Sequence, residues 1–440
     1  MVDEPFSKIL MQTGVITIPS GFVSEFGRGA FLLLWNMQKR GYFMKRIVPA
    51  LFLLISLFII CGGCTTDVPV VSASHEASLA PDAQLSPENS PSPKTFPSPI
   101  SPDPDPLDMN DELPTTRSFT DMLGNNLLLP TPENIERVAV LTSPQVQNMY
   151  IVGMQDKLCA MTTSQERFKL FERFFPGQAD IPAPRGTAGN INVEVLLASN
   201  PQFCIGSKID MDVVAESARL PVVNIDTDNA PEDVFLARKA EVSLYGEIFG
   251  AQDRAQIYCD FLDEKLELLA ERTMQISQHE KMTVYFGFND DLQTTYGKNS
   301  FMNYQIEAAG LINAAEEIVV EFGEEGGLVN LSMEQILAWD PDIIVIDSAN
   351  PQVLKKHASW GKLTAVQNDR VYMLPIGGFI WNRPSSESAA LLPLWLSKLA
   401  YPDLYEDISV ENEIKRYWAE VLRFEITDDD IYDILRKNMY

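Results

Sequence analysis

A nine-residue unit, Val193-Glu194-Val195-Leu196-Leu197-Ala198-Ser199-Asn200-Pro201, recurs 140 residues later as Met333-Glu334-Gln335-Ile336-Leu337-Ala338-Trp339-Asp340-Pro341. Both copies run on into short apolar stretches, Phe203-Cys204-Ile205 and Ile343-Ile344-Val345-Ile346. Each reads as a capped short helix stopped by an x-Pro pair and followed by a buried strand. The same unit at the same place in two regions implies a pseudo-symmetric pair of α/β halves.

The rest of the pattern fits that division. Residues 137–141, 202–205 and 222–225 read as strands and 149–155 as a helix. Two helical patterns then follow without a strand between them, 231–249 and 251–273. In the second, Ile257, Phe261, Leu262, Leu266, Leu269 and Ala270 recur at helical spacing. Alternation resumes with a strand at 282–288, a helix at 300–309 closed by Gly310, a strand at 343–346, a helix start at Asn350-Pro351 and a strand at 371–374. Two α/β lobes are expected to flank a helical middle.

Upstream, Met44-Lys45-Arg46 precedes an apolar run over 47–60 and then Cys61-Gly62-Gly63-Cys64. Two cations, a short apolar core and small residues before a cysteine read as a secretory signal over 44–63, with Cys64 as the lipid-attachment residue. The run falls short of the roughly 20 residues needed to cross a bilayer. Residues 1–43 carry no periodic pattern and are expected to reflect a misassigned start, with Met44 the true first residue. Residues 64–114 turn to Pro, Ser, Asp and Ala, a disordered tether between lipid and folded domain. The protein is therefore expected outside the cytoplasm, anchored to the cell membrane.

With 34 basic and 61 acidic residues, a formal charge of −27 argues against nucleic acid as a partner. Three histidines and five cysteines are too few and too scattered for a protein-held zinc site, so neither metal nor cofactor is expected. No G-x-S-x-G elbow, P-loop or dinucleotide fingerprint occurs, which weighs against an enzyme. Phe322-Gly323-Glu324-Glu325-Gly326-Gly327 carries two acids where a phosphate loop needs a cation.

The stretch Arg117-Ser118-Phe119-Thr120-Asp121-Met122-Leu123-Gly124, the Glu194 and Glu334 units, and Trp381-Asn382-Arg383-Pro384-Ser385-Ser386-Glu387 occur in one order. In that order and spacing the chain resembles substrate-binding proteins of iron-chelate and vitamin B12 ABC importers across residues 115–440. The resemblance implies two Rossmann-like lobes, 115–250 and 279–440, joined by a single long helix within 251–278. It also implies a cleft for the ligand and delivery to an ABC permease. A monomer is expected. A ferric siderophore or similar chelate is the leading cargo, since it needs aromatic, polar and Arg contacts instead of clustered imidazoles; cobamide or haem is the alternative.

Ligands of open α/β sheets sit beyond the strand carboxyl ends, so the loops there supply the candidates. These are Ser143, Tyr296, Gly297, Trp381 and Arg383. An indole offers flat apolar area, a guanidinium can grip carboxylate or catecholate oxygens, and Tyr296 could donate or stack. Equally, Trp381 could be a core aromatic and Arg383 a partner for Glu387. Glu194 and Glu334 stand in the first helical turn behind Asn192 and Ser332, where the helix dipole alone favours a carboxylate. In the family, a matching glutamate on each lobe meets permease arginines, so the pair is a docking candidate. Cys159 and Cys204 could pair or stay reduced, and Cys259 is left over.

Overall fold

The computed structural model describes residues 115–162, 173, 177, 180–185, 190–225, 233–320, 327–378 and 381–437. All lie in the second of the two units into which the chain divides, Pro104–Tyr440. The signal segment, Cys64, most of the tether and residues 322–326 of the acidic glycine-rich loop lie outside the described residues.

An antiparallel hairpin, β1 (Thr116–Thr120) with β2 (Asn126–Pro130), opens the first lobe. There follow β3 (Val138–Val140), α1 (Val146–Ile151), β4 (Leu158–Met161), α2 (Val193–Ala198), β5 (Phe203–Gly206), α3 (Lys208–Ser217) and β6 (Val222–Asn224). The last four strands form a parallel sheet in the order β4-β3-β5-β6. Every residue of those strands is buried, as expected for parallel strands covered on both faces.

Two helices follow, α4 (Val234–Phe249) and α5 (Gln252–Thr273). At 22 residues α5 is about 33 Å long. It buries Ala255, Tyr258, Leu262, Lys265 and Leu269 along one side, and Phe261 meets Tyr417 edge-on at 5.5 Å between ring centroids.

The second lobe contains β7 (Thr283–Gly287), β8 (Thr294–Tyr296), α6 (Phe301–Ala308), β9 (Ile312–Asn313), β10 (Leu328–Asn330), α7 (Met333–Trp339), β11 (Ile343–Ile346), α8 (Pro351–Leu354), α9 (Thr364–Gln367) and β12 (Val371–Met373). Its parallel sheet runs β9-β7-β11-β12. With the strands of each parallel sheet counted by appearance, both lobes read second, first, third, fourth. The repeat seen in the sequence is thus a repeat of topology. Asn192 and Ser332 cap α2 and α7, each side chain accepting a backbone N–H three residues on. The residues before the two prolines, Asn200 (φ 48°) and Asp340 (φ 42°), both adopt the left-handed region that Asn and Asp tolerate best. C-terminal helices α10 (Ser386–Ala400), α11 (Val410–Arg416) and α12 (Asp428–Ile434) complete the chain.

Two local expectations differ. The helix expected over 149–155 starts three residues earlier, and Gly153 at φ 76° separates it from a 3-10 turn at Gln155–Lys157. The antiparallel β8–β10 pair, Leu328 opposite Tyr296, sits outside the main sheet and joins segments too short to carry an alternation signal. Cys159 and Cys204 are free: they stand on β4 and β5 with β3 between them. Two strand spacings are about 9.6 Å, beyond the roughly 7 Å limit for a disulfide.

Candidate functional site

The carboxyl ends of the two parallel sheets open onto the loops that carry the candidates. In the first lobe, Thr142 to Gln145 link β3 to α1, and Ser143 there is half-buried. After β5, Ser207 caps α3 in a reciprocal box with Asp210, whose buried carboxylate also pairs with Arg185. Of the loop after Arg185, residues 186–189 lie outside the described residues.

In the second lobe, β8 places Tyr296 beneath the loop that follows β12. The Tyr296 hydroxyl donates to the Asn382 carbonyl at 2.6 Å and accepts from Arg383 Nη1 at 3.1 Å. Arg383 Nη1 also donates to the Asn382 carbonyl, at 3.2 Å. The guanidinium of an exposed residue is therefore fixed at one end by a buried phenol. Burial pushes the Tyr296 hydroxyl up to about 12, with the Arg383 charge pulling the other way. Gly297 has backbone on its back: a Cβ there would sit 2.6 Å from the Ile318 carbonyl oxygen. Its role in the fold is close approach.

Trp381 and Tyr296 are 0% and 2% exposed, both within the large core shared by α5, β7 and α10. Neither offers solvent a flat ring in this conformation. Of the ligand candidates, Arg383 is exposed and Ser143 half-buried.

The loop after β12 has a second task that no local pattern announced. Glu387, wholly buried at the start of α10, accepts from Gln147 Nε2 at 3.3 Å and from Trp418 Nε1 at 2.9 Å, while its backbone N–H donates to Gln147 Oε1 at 3.0 Å. Beside it, the Ser386 hydroxyl donates to Asn148 Oδ1 at 2.8 Å, and Asn148 Nδ2 donates to Glu241 at 3.1 Å. Arg238 reaches the Pro384 carbonyl at 3.0 Å. The Ser385-Ser386-Glu387 segment is thus a polar joint holding α10 against α1, α4 and α5.

Buried polar groups ordinarily find partners. At these strand ends several do not: Thr142 Oγ1 and Gln145 Oε1 in the first lobe, and Thr295 Oγ1, Asp347 Oδ1, Trp381 Nε1 and Asn382 Oδ1 in the second. Asp347, immediately after β11, is the group that sequence reasoning missed. Burial raises its carboxyl pKa, opposed by the Ser348 hydroxyl and then by the charges of Arg436 and Arg383. A carboxylate, two guanidiniums and unpaired amide and hydroxyl groups can recognise a polar, oxygen-rich solute. Among the described residues, no cluster of His, Cys, Asp and Glu could hold a bare metal ion.

Glu194 and Glu334 are both exposed, in the first turns of α2 and α7. Each helix runs antiparallel to the strand after it, so its N-terminus lies at the strands' carboxyl edge. The two carboxylates occupy equivalent positions on that edge of their lobes.

The sequence profile described as periplasmic binding protein matches residues 138–376. The molybdate-binding protein MolA of Haemophilus influenzae is 23% identical over 340 residues, covering 71% of this chain and 93% of that one. The uncharacterized ABC transporter substrate-binding lipoprotein YvrC of Bacillus subtilis is 23% identical over 245 residues, 54% of this chain and 72% of that one. A crystal structure of a periplasmic solute binding protein from Veillonella parvula superposes with a TM-score of 0.65 at 22% identity, covering 74% of this chain and 98% of the other.

Proposed function

The chain belongs to the periplasmic binding protein family, and from that membership we propose that it captures an anionic metal chelate of the ferric siderophore type between its lobes. As a member it is a solute-binding protein of an ABC importer, working outside the cytoplasm, and not an enzyme. The proposal assigns residues 115–250 and 279–440 to the lobes, with α5 inside the 251–278 link.

The observation that carries the cargo class is Arg383: an exposed guanidinium pinned by Tyr296 at the strand ends, with orphaned polar atoms around it. A chelate presenting carboxylate or catecholate oxygens accepts from that guanidinium bidentately. Ser143 serves from the facing loop, whereas Tyr296, Gly297 and Trp381 act by holding the Arg383 loop in place. Glu194 and Glu334 dock the permease by charge, and Cys64 carries the lipid.

A second reading has one specific support. MolA, matched over 93% of its length, is named for molybdate, an oxyanion that the same arginines would suit. Calorimetric titration of the full chain with ferric hydroxamate, ferric catecholate, ferric citrate, molybdate and cobalamin separates the readings. Tight binding of a ferric chelate is expected; binding of molybdate alone would replace the chelate, and binding of cobalamin alone would overturn both.

A further inference from the structure

The lobe junction contains a crevice of about 300 Å³ that none of the strand-end candidates lines. It runs from Gln147 on α1 to Gln155 in the 3-10 turn that follows, and is also lined by Trp418 and Phe424. Among the described residues lining it, the charged ones are Arg254 and Arg423. In a chain of net charge −27, two arginines line this space, with the Glu387 carboxylate behind them on Gln147 and Trp418.

Arg254 is nine-tenths buried. Its Nη2 donates to the Val421 carbonyl at 2.5 Å and its Nη1 to that of Glu420 at 3.4 Å, while its Nε has no partner. Arg423, exposed and with a backbone φ of 58°, makes no ion pair among the described residues. Burial lowers the Arg254 pKa and the nearby Arg423 charge lowers it further. A guanidinium held in that way gains from a counter-anion. Tyr150, Trp418 and Phe424 give the same space aromatic walls.

We propose that this crevice is a second ligand site, taking a small organic anion whose carboxylate meets Arg254 and Arg423 and whose apolar body packs on the aromatic walls. Its volume sits at the lower end of the range for small-molecule pockets. Gln147 and Gln155 come from the first lobe, Arg254 from α5, and Trp418 and Arg423 from the C-terminal segment, so an occupant ties the three together. Such an occupant stabilises the folded junction by mass action.

The test uses the full chain, with benzoate as probe and neutral benzamide as its control, at constant ionic strength. Benzoate is expected to raise the Tm saturably and to give a calorimetric isotherm. Arg423→Gln, a change at an exposed residue, is expected to weaken that isotherm by about tenfold, the loss of one charge-assisted contact. Arg383→Gln is expected to leave it unchanged. The proposal is overturned if benzoate does not bind, if benzamide binds as well, if Arg423→Gln has no effect, or if Arg383→Gln abolishes binding, which would move the anion to the strand ends.

Discussion

Gln147 and Glu387, 240 residues apart, hold each other through both ends of one amide, at 3.0 and 3.3 Å. Glu387 is wholly buried, and Trp418 Nε1 is a further donor to its carboxylate. Gln147→Leu removes one donor to that carboxylate and the acceptor of the Glu387 backbone N–H, at a cost of about 2–3 kcal/mol. The expected outcome is a Tm several degrees lower, measured by scanning calorimetry. Gly377→Ala should act in the same direction, because a Cβ there would lie 2.0 Å from Glu387 Oε1. Were the double variant to lose the sum of the two single losses, the two residues would not share this joint.

Arg383 and Tyr296 should separate recognition from positioning. Arg383→Gln removes the exposed guanidinium and is expected to weaken ferric chelate binding by at least about tenfold, with little change in Tm. Tyr296→Phe keeps the buried ring but loses the hydroxyl that Arg383 and the Asn382 carbonyl share. Its effect on affinity should be smaller, about threefold to fivefold, and a cost in stability should accompany it. Titration of both variants with the same chelate reads the split.

Asp347 makes a prediction about pH. Its folded pKa is raised above the ordinary carboxylate value, chiefly by burial. The folded state therefore holds a proton that the unfolded state has released, and stability falls as pH rises from the unfolded pKa, near 3.9, through the folded one. Asp347→Asn removes the penalty. It should be more stable than the parent at pH 7, and the difference should vanish below about pH 4. A difference that instead grows on acidification would show that the carboxylate is held ionised by Arg436 or Arg383.

The parts of the fold that were legible in the sequence are those fixed locally. The α2 and α7 units announced themselves because a cap, a helical turn and an x-Pro stop all lie within ten residues, and both copies feed buried strands. α5 was legible from its apolar spacing. Tyr296 looked like a surface residue of a polar loop because its strand partner, Leu328, lies beyond α6 and β9. Ser385-Ser386-Glu387 reads as an ordinary helix start, which it is; that it also joins elements from across the chain depends on Gln147 and Asn148, whose side chains carry no local signal. Asp347 ends an apolar strand, and nothing in its neighbours shows how deeply it is buried.

Glu194 and Glu334 give the sharpest separation between binding and delivery. Each carboxylate already has a local reason to exist, since it stands in the first turn of a capped helix, where the dipole favours it by about 0.3–1 kcal/mol at an exposed site. Local stabilisation alone would make the pair dispensable for transport. In the proposed docking role the two charges, placed equivalently on two lobes, share the attraction and together fix orientation. Glu194→Ala with Glu334→Ala should therefore leave calorimetric chelate affinity within about twofold of the parent while abolishing uptake into cells carrying the cognate permease. Each single variant should retain part of that uptake. Charge reversal to Lys at both positions should be worse than Ala, since it adds repulsion from a basic partner. Full uptake by the double Ala variant would assign both residues to helix stability alone.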